Sequence, residues 1–193
     1  MLIVFEGIDG SGKTTQAKIL ARRLSERGLK ASYSKEPTEG VIGRLIRQEV
    51  LTSGQITDPR AIALLYAADR STHLNSVIFS EDVINIFDRF YYSSAAYQGA
   101  LGVPIDYILK VNSFAPKPDL VFLMDIDPAL GLKRLNRFDR FENIETLIKV
   151  REIYLNLAKQ YGMFVVDATK SVEEISNKIM GIVEETRSVT KGR

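Results

Sequence analysis

Gly7, Gly12, Lys13 and Thr14 stand at the spacing G-x-x-x-x-G-K-[ST] inside the stretch Gly7-Ile8-Asp9-Gly10-Ser11-Gly12-Lys13-Thr14-Thr15-Gln16. Glycines at those points let the backbone curl with its N–H groups pointing inward. The lysine ammonium and the positive end of a helix beginning near Lys13 then complete a cradle for a polyphosphate, and the Thr14 hydroxyl is placed to ligate Mg²⁺. The flanks agree with this chemistry. Leu2 to Phe5 is a short, branched and aromatic run suited to a buried strand, whereas Ala17, Leu20, Ala21 and Leu24 recur at helical spacing before Gly28. Strand, glycine-rich loop and helix is the order a nucleotide site requires.

Further candidates follow other apolar runs. Asp88-Arg89 comes directly after Val83 to Phe87, so an acid able to hold Mg²⁺ through water and a base able to clamp phosphate leave one buried strand together. An ion pair capping the sheet is the plainer alternative. Asp125, after the equally apolar Leu120 to Met124, is a rival magnesium aspartate, and periodicity does not choose between the two. Tyr66 and Arg70 are four apart on one helical face, an aromatic ring to stack on a base beside a guanidinium to hold phosphate bidentately. Taken alone, that pair reads more readily as a core tyrosine beside a surface arginine. Ser94, Tyr97 and Gln98 form a second face that would meet a base or sugar. Lys133, Arg134, Arg137 and Arg140 crowd one segment, interrupted by Phe138 and Asp139. Asp127 caps its start and Pro128 suits the first helical position. A solvated basic face is the usual meaning of such a run; a lid that closes over ATP and supplies a catalytic arginine is the functional one.

The elements that must position these residues are legible as alternating short apolar runs and longer amphipathic stretches. Leu2–Phe5, Ala31–Lys35, Val83–Phe87, Leu120–Met124 and Met163–Val166 read as strands, with helices between them. Such alternation predicts an α/β fold with a central parallel five-stranded sheet and helices on both faces, its ligands gathered at the carboxyl ends of the strands. A chain of 193 residues that is 45% hydrophobic buries one good core, and no linker divides it. One domain spanning 1–193 is expected, with a polar, frayed tail over 188–193. Basic and acidic side chains number 26 and 24, too balanced for a general nucleic-acid coat. The absence of cysteine removes disulfides and thiolate metal sites. No apolar run spans a bilayer, and a cleavable leader would overlap the first strand and its loop, so a cytoplasmic location without membrane attachment is expected.

The ordered set of motifs resembles the thymidylate kinase family, of the nucleoside monophosphate kinase group with the P-loop NTPase three-layer fold. The resemblance rests on Phe5-Glu6-Gly7-Ile8-Asp9-Gly10-Ser11-Gly12-Lys13-Thr14-Thr15-Gln16, Lys35-Glu36-Pro37, Leu64-Leu65-Tyr66-Ala67-Ala68-Asp69-Arg70, Asp88-Arg89-Phe90, Ala96-Tyr97-Gln98-Gly99, Pro118-Asp119-Leu120 and Asp167-Ala168, in family order over nearly the whole chain. It implies transfer of the γ-phosphate of ATP to dTMP, giving dTDP with Mg²⁺ as cofactor, in a homodimer. ATP would be held by Gly7, Ile8, Asp9, Gly10, Ser11, Gly12, Lys13, Thr14, Thr15 and Arg134. The resemblance further implies that Lys13 meets the β- and γ-phosphates, that Thr14 and Asp88, in preference to Asp125, serve the metal, and that Arg89 bridges donor and acceptor phosphates. On the acceptor side it implies Asp9 near the 3′-hydroxyl and phosphate, Lys35, Tyr66 stacked on thymine, Arg70 on the base or phosphate, Ser94, Tyr97 against the deoxyribose, and Gln98.

Two positions depart from the family pattern. Lys35 stands where many bacterial relatives have arginine, replacing a bidentate contact by a point charge. Gly10 occupies the loop position where one branch carries a catalytic arginine, so the missing charge is expected from a short lid at about 133–143, with Arg137 and Arg140 as the preferred pair. A deoxynucleoside kinase, which phosphorylates a hydroxyl, is the nearest alternative; Arg70 and Arg89 favour a phosphate acceptor. A nucleotide-dependent switch protein is the more distant one, and no guanine-specific Asn-Lys-x-Asp sequence is present.

Overall fold

The computed structural model describes residues 1–135, 141 and 143–191, and the side chains of these up to residue 188. The chain begins with β1 (Leu2–Glu6), whose apolar residues are all buried. It continues through α1 (Lys13–Glu26), β2 (Lys30–Lys35), α2 (Val41–Leu45), a π-helical continuation over Ile46–Thr52, α3 (Pro59–Ser76) and β3 (Val83–Asp88). Then follow α4 (Tyr91–Ala100), α5 (Ile105–Val111), β4 (Leu120–Asp125), α6 (Pro128–Lys133), α7 (Ile144–Tyr161), β5 (Phe164–Asp167) and α8 (Val172–Lys191). The strands lie in the order β2-β3-β1-β4-β5 with every neighbouring pair parallel, which matches the expected five-stranded parallel sheet.

Topology and handedness decide which helix covers which face. A right-handed crossover from β1 to β2 runs in one direction across the sheet; the crossovers from β2 to β3, β3 to β4 and β4 to β5 run in the other. Thus α1 covers one face, and α3, α4 and α7 cover the opposite one. The packing agrees: α1 meets α8 on its own side, while α4 packs against α3, α5 and α7. Between the layers, Phe5 of the central strand β1 and Phe122 of its neighbour β4 meet at 5.4 Å between ring centroids. The strands depart from the sequence expectation by single residues. Glu6, Asp88 and Asp125 belong to their strands, and Asp88 pairs on both sides, with Phe5 and Lys35.

The end of the chain expected to be polar and frayed begins within α8. α8 continues to Lys191, because Ile175, Ile179, Met180 and Val183 form a buried stripe along it that packs against α1. A polar end sequence does not unwind a helix whose preceding turns are anchored this way.

Candidate active site

β1 delivers the phosphate loop at the middle of the sheet, and close approaches dictate its glycines. A Cβ on Gly7, whose φ is 141°, would meet the Met124 carbonyl oxygen at 2.5 Å. One on Gly10, φ 78°, would meet the Gly131 carbonyl oxygen of α6 at 2.1 Å. The loop tip is therefore seated on α6, and position 10 holds no side chain because no space is left for one. Lys13 is buried and its Nζ donates to the Ile8 carbonyl at 2.7 Å, wrapping the ammonium inside the loop. Burial, and next the Arg89 charge, push Lys13 down from 10.5 to about 8, against the pull of Asp9, Asp88 and Glu6. Thr14 and Thr15 occupy the first turn of α1.

β3 delivers Asp88 and Arg89 beside this loop, as expected. The Thr14 hydroxyl donates to Asp88 Oδ2, and the Tyr33 hydroxyl donates to the same oxygen at 3.3 Å. Asp88 Oδ1 is buried without a hydrogen-bond partner among the described residues. A buried carboxylate oxygen left over beside a threonine hydroxyl suits a hard, oxygen-seeking cation such as Mg²⁺. At the rival aspartate both oxygens accept from Arg151: Oδ1 from Nε at 2.7 Å and Oδ2 from Nη2 at 2.9 Å.

Arg89 holds a left-handed backbone, φ 72°, which costs a non-glycine residue about 1–2 kcal/mol. Its N–H donates to the Phe5 carbonyl at 2.9 Å, and its guanidinium reaches the Gly7 carbonyl at 3.3 Å, the Ser93 hydroxyl at 3.2 Å and Asp9 Oδ1. Tyr97 donates to the other Asp9 oxygen at 2.6 Å, and its ring lies 5.2 Å from the Arg89 guanidinium. Burial opposes ionisation of Asp9, but Arg89, Lys13 and the Tyr97 hydroxyl overcome it and hold the carboxyl well below its ordinary range. Phosphate loop and α4 are thereby joined through one carboxylate.

Next to that triad opens a cavity of about 170 Å³. Asp9, Lys35, Tyr66, Arg89, Ser94, Tyr97 and Gln98, all singled out from the sequence, line it. Ser94 Oγ and Gln98 Oε1 are buried and lack partners among the described residues, so the wall carries polar atoms ready for a polar ligand. Phe141 also lines the cavity, bringing the end of the expected lid segment onto it.

Arg70 lies deeper than these residues. It is 1% exposed and does not line the cavity; Nε and Nη2 grip Glu36 Oε2 at 2.8 and 2.7 Å, and Nη1 donates to Asn112. Two of its nitrogens thus converge on a single carboxylate oxygen of the cavity wall. The i,i+4 spacing is compatible with Tyr66 in the cavity and Arg70 beneath other side chains, since spacing fixes a face and not its depth. His73 Nδ1 meets Glu36 Oε1 at 3.0 Å, and both oxygens of Asp69 accept from Thr38. α3 thus grips the turn after β2. Sequence reasoning missed Arg47, whose guanidinium donates to the Pro37 carbonyl at 2.7 Å and which lines the cavity from the π-helical turn. It also missed Glu36, Pro37, Leu51 and Ser93 as lining residues; only Glu36-Pro37, directly after a strand, carried a positional signal. Arg134 donates to the Ala168 carbonyl at 3.1 Å, beyond β5. Arg137 and Arg140 lie outside the described residues.

Comparison with known proteins agrees with this geometry. Residues 5–179 match the family model described as thymidylate kinase. The "probable thymidylate kinase" of Methanocaldococcus jannaschii is 44% identical over 188 residues, covering 95% of this chain and 96% of that one. That of Pyrobaculum calidifontis is 43% identical over 190 residues, with the same coverage, and "probable thymidylate kinase 1" of Saccharolobus solfataricus is 44% identical over 188 residues. The chain belongs to the thymidylate kinase family.

Proposed function

We propose that the protein transfers the γ-phosphoryl group of ATP to dTMP, giving ADP and dTDP on the route to dTTP. The observation that carries this reading is the adjacency of two sites: a phosphate cradle at Gly7 to Thr14 and a cavity whose shared wall is Asp9, Arg89 and Tyr97. A phosphate acceptor needs no general base, but two anions must be brought together, so positioning and positive charge are the catalytic requirements. Lys13 and the inward loop N–H groups hold the donor β- and γ-phosphates. Arg89, already suspended between the Gly7 carbonyl and Asp9, stands where donor and acceptor phosphates meet. Lys35 adds a point charge at the end of β2. Tyr66 offers a ring to the thymine, Ser94 and Gln98 offer it polar partners, and Tyr97, tied to Asp9, crowds the sugar where a ribose would carry its 2′-hydroxyl. Arg70 acts through Glu36, holding the cavity wall in place. Thr14 and Asp88 would hold Mg²⁺, which when bound supplies neutralisation of the phosphate charge.

The same reading assigns the segment 133–143 to a lid, with Arg137 and Arg140 replacing the charge that Gly10 lacks and Arg134 on the nucleotide side. It places the enzyme in the cytoplasm with its nucleotide substrates. No helix among the described residues is long and apolar enough to cross a membrane. It also makes the protein a homodimer, a reading supported by the apolar Val41, Leu45 and Leu64, which are exposed on the contacting helices α2 and α3. Light scattering at twice 21.7 kDa is the expected result for the dimer. A panel of nucleoside monophosphates and thymidine, assayed with ATP and Mg²⁺, tests the function: turnover is expected with dTMP, and turnover confined to the nucleoside would reject a phosphate acceptor.

A further inference from the structure

Tyr33 sits on β2 and its register partner on β3 is Ile86, two residues before Asp88. Alternation along strands puts Tyr33 and Asp88 on one face of the sheet at a diagonal separation that a long side chain spans. The phenol spans it and donates to Asp88 Oδ2 at 3.3 Å. Thr14 donates to the same oxygen, whereas Oδ1 is buried without a partner among the described residues. Two donors converging on one oxygen fix the rotation of the carboxylate and leave the lone pairs of the other free. The tyrosine ring is itself tethered, with Lys18 Nζ of α1 5.5 Å from its centroid, so it is tied to the helix that carries Thr14.

We propose that Tyr33 is a positioning residue for the cation site: by donating to Oδ2 it holds the rotation of Asp88 and leaves Oδ1 available to the Mg²⁺ that Thr14 and Asp88 would hold. It acts through Asp88 and touches neither substrate. Outer-shell donors that orient a ligating or water-bridging carboxylate in this way contribute to metal affinity without forming a bond to the metal. The inference rests on the assignment of Thr14 and Asp88 to Mg²⁺ made above.

Phenylalanine at position 33 keeps the ring and removes the donor. The test is calorimetric binding of the β,γ-imido analogue of ATP, with Mg²⁺ and with EDTA, to the wild type, Tyr33→Phe, Asp88→Asn and the double variant. The readout is the ratio by which Mg²⁺ improves nucleotide affinity. Tyr33→Phe is expected to shrink that ratio about three- to ten-fold, the range for losing one hydrogen bond. Metal-free affinity and KM for dTMP should stay at wild-type values, and the double variant should be no worse than Asp88→Asn. A wild-type ratio in Tyr33→Phe alongside a collapsed one in Asp88→Asn overturns the role of Tyr33 and leaves the metal assignment standing. An unchanged ratio in Asp88→Asn overturns both. Loss of metal-free affinity in Tyr33→Phe would mark a general structural defect and equally overturn the proposal.

Discussion

Lys13 turns inward along its own loop, and its low proton affinity is the cost of being buried beside Arg89. A polyphosphate entering the cradle brings negative charge to the ammonium and raises that affinity again, so nucleotide binding takes up a proton wherever the free lysine is partly neutral. With Lys13 at about 8, little uptake by this group is expected at pH 6.5 and substantial uptake at pH 8.5, with ATP affinity falling as pH rises through that range. Calorimetry of a non-hydrolysable ATP analogue in two buffers of different ionisation enthalpy measures it; identical heats at pH 8.5 would refute the linkage. Asp9 makes a complementary prediction. Its carboxylate anchors both Arg89 and Tyr97, the two residues between cradle and cavity. Asp9→Ala frees both, and KM for dTMP is expected to rise about ten- to hundred-fold, the range for losing hydrogen bonds to a charged group, with a smaller change in KM for ATP. Steady-state kinetics varying each substrate in turn will separate the two.

At the level of elements, Glu6 ties the end of β1 to the start of α4. It is fully buried, accepts from the Phe90 and Ser93 N–H groups at 2.9 and 3.2 Å and from the Ser93 and Tyr154 hydroxyls at 2.6 and 2.9 Å. Phe90, the residue before α4, supplies no side-chain cap, so a glutamate from another strand caps this helix. Burial raises its pKa despite those donors, and Arg89 nearby draws it back. Glu6→Ala should leave buried donors unsatisfied at about 1–3 kcal/mol each. The thermal midpoint should fall, and kcat should fall with it, because Arg89 loses the fixed start of α4 that holds its left-handed backbone; a wild-type kcat in the folded variant would show that Arg89 is positioned without this cap. Much of this architecture was legible in the sequence. Each strand is a bounded apolar run, and residues just past β1, β2 and β3 (Asp9, Glu36 and Arg89) line one cavity. What stayed hidden depends on depth and long-range pairing. Arg70 is buried against Glu36, Arg151 consumes Asp125, and Arg47 enters from a π-helical turn whose sequence lacks any periodic signature. The seating of Gly10 on Gly131 likewise joins residues from distant parts of the chain, so the lack of a side chain at position 10 had no visible cause.

For the molecule as a whole, those same contacts decide where catalytic charge can come from. The loop tip is closed by α6, so no arginine fits at position 10, and the chain leaving α6 passes directly into the basic segment at 133–143. That segment is anchored at both ends. Arg134 bonds to the Ala168 carbonyl beyond β5, and Phe141 is buried against the acceptor cavity with its ring 6.3 Å from that of Tyr97. In the sequence, Arg137 and Arg140 fall between Arg134 and Phe141. Charge delivered there would be realised chiefly when both substrates are in place, which makes it a contribution to the transition state and not to ground-state binding. Replacing both arginines by alanine is thus expected to lower kcat by about 10³-fold or more, the lower end of the range for arginine fingers, while ATP affinity changes by far less. Single-turnover transfer to dTMP with enzyme in excess isolates the chemical step from product release. Turnover equal to the wild type in the double variant would place the compensating charge elsewhere, with Lys35 at the end of β2 as the next cation to replace.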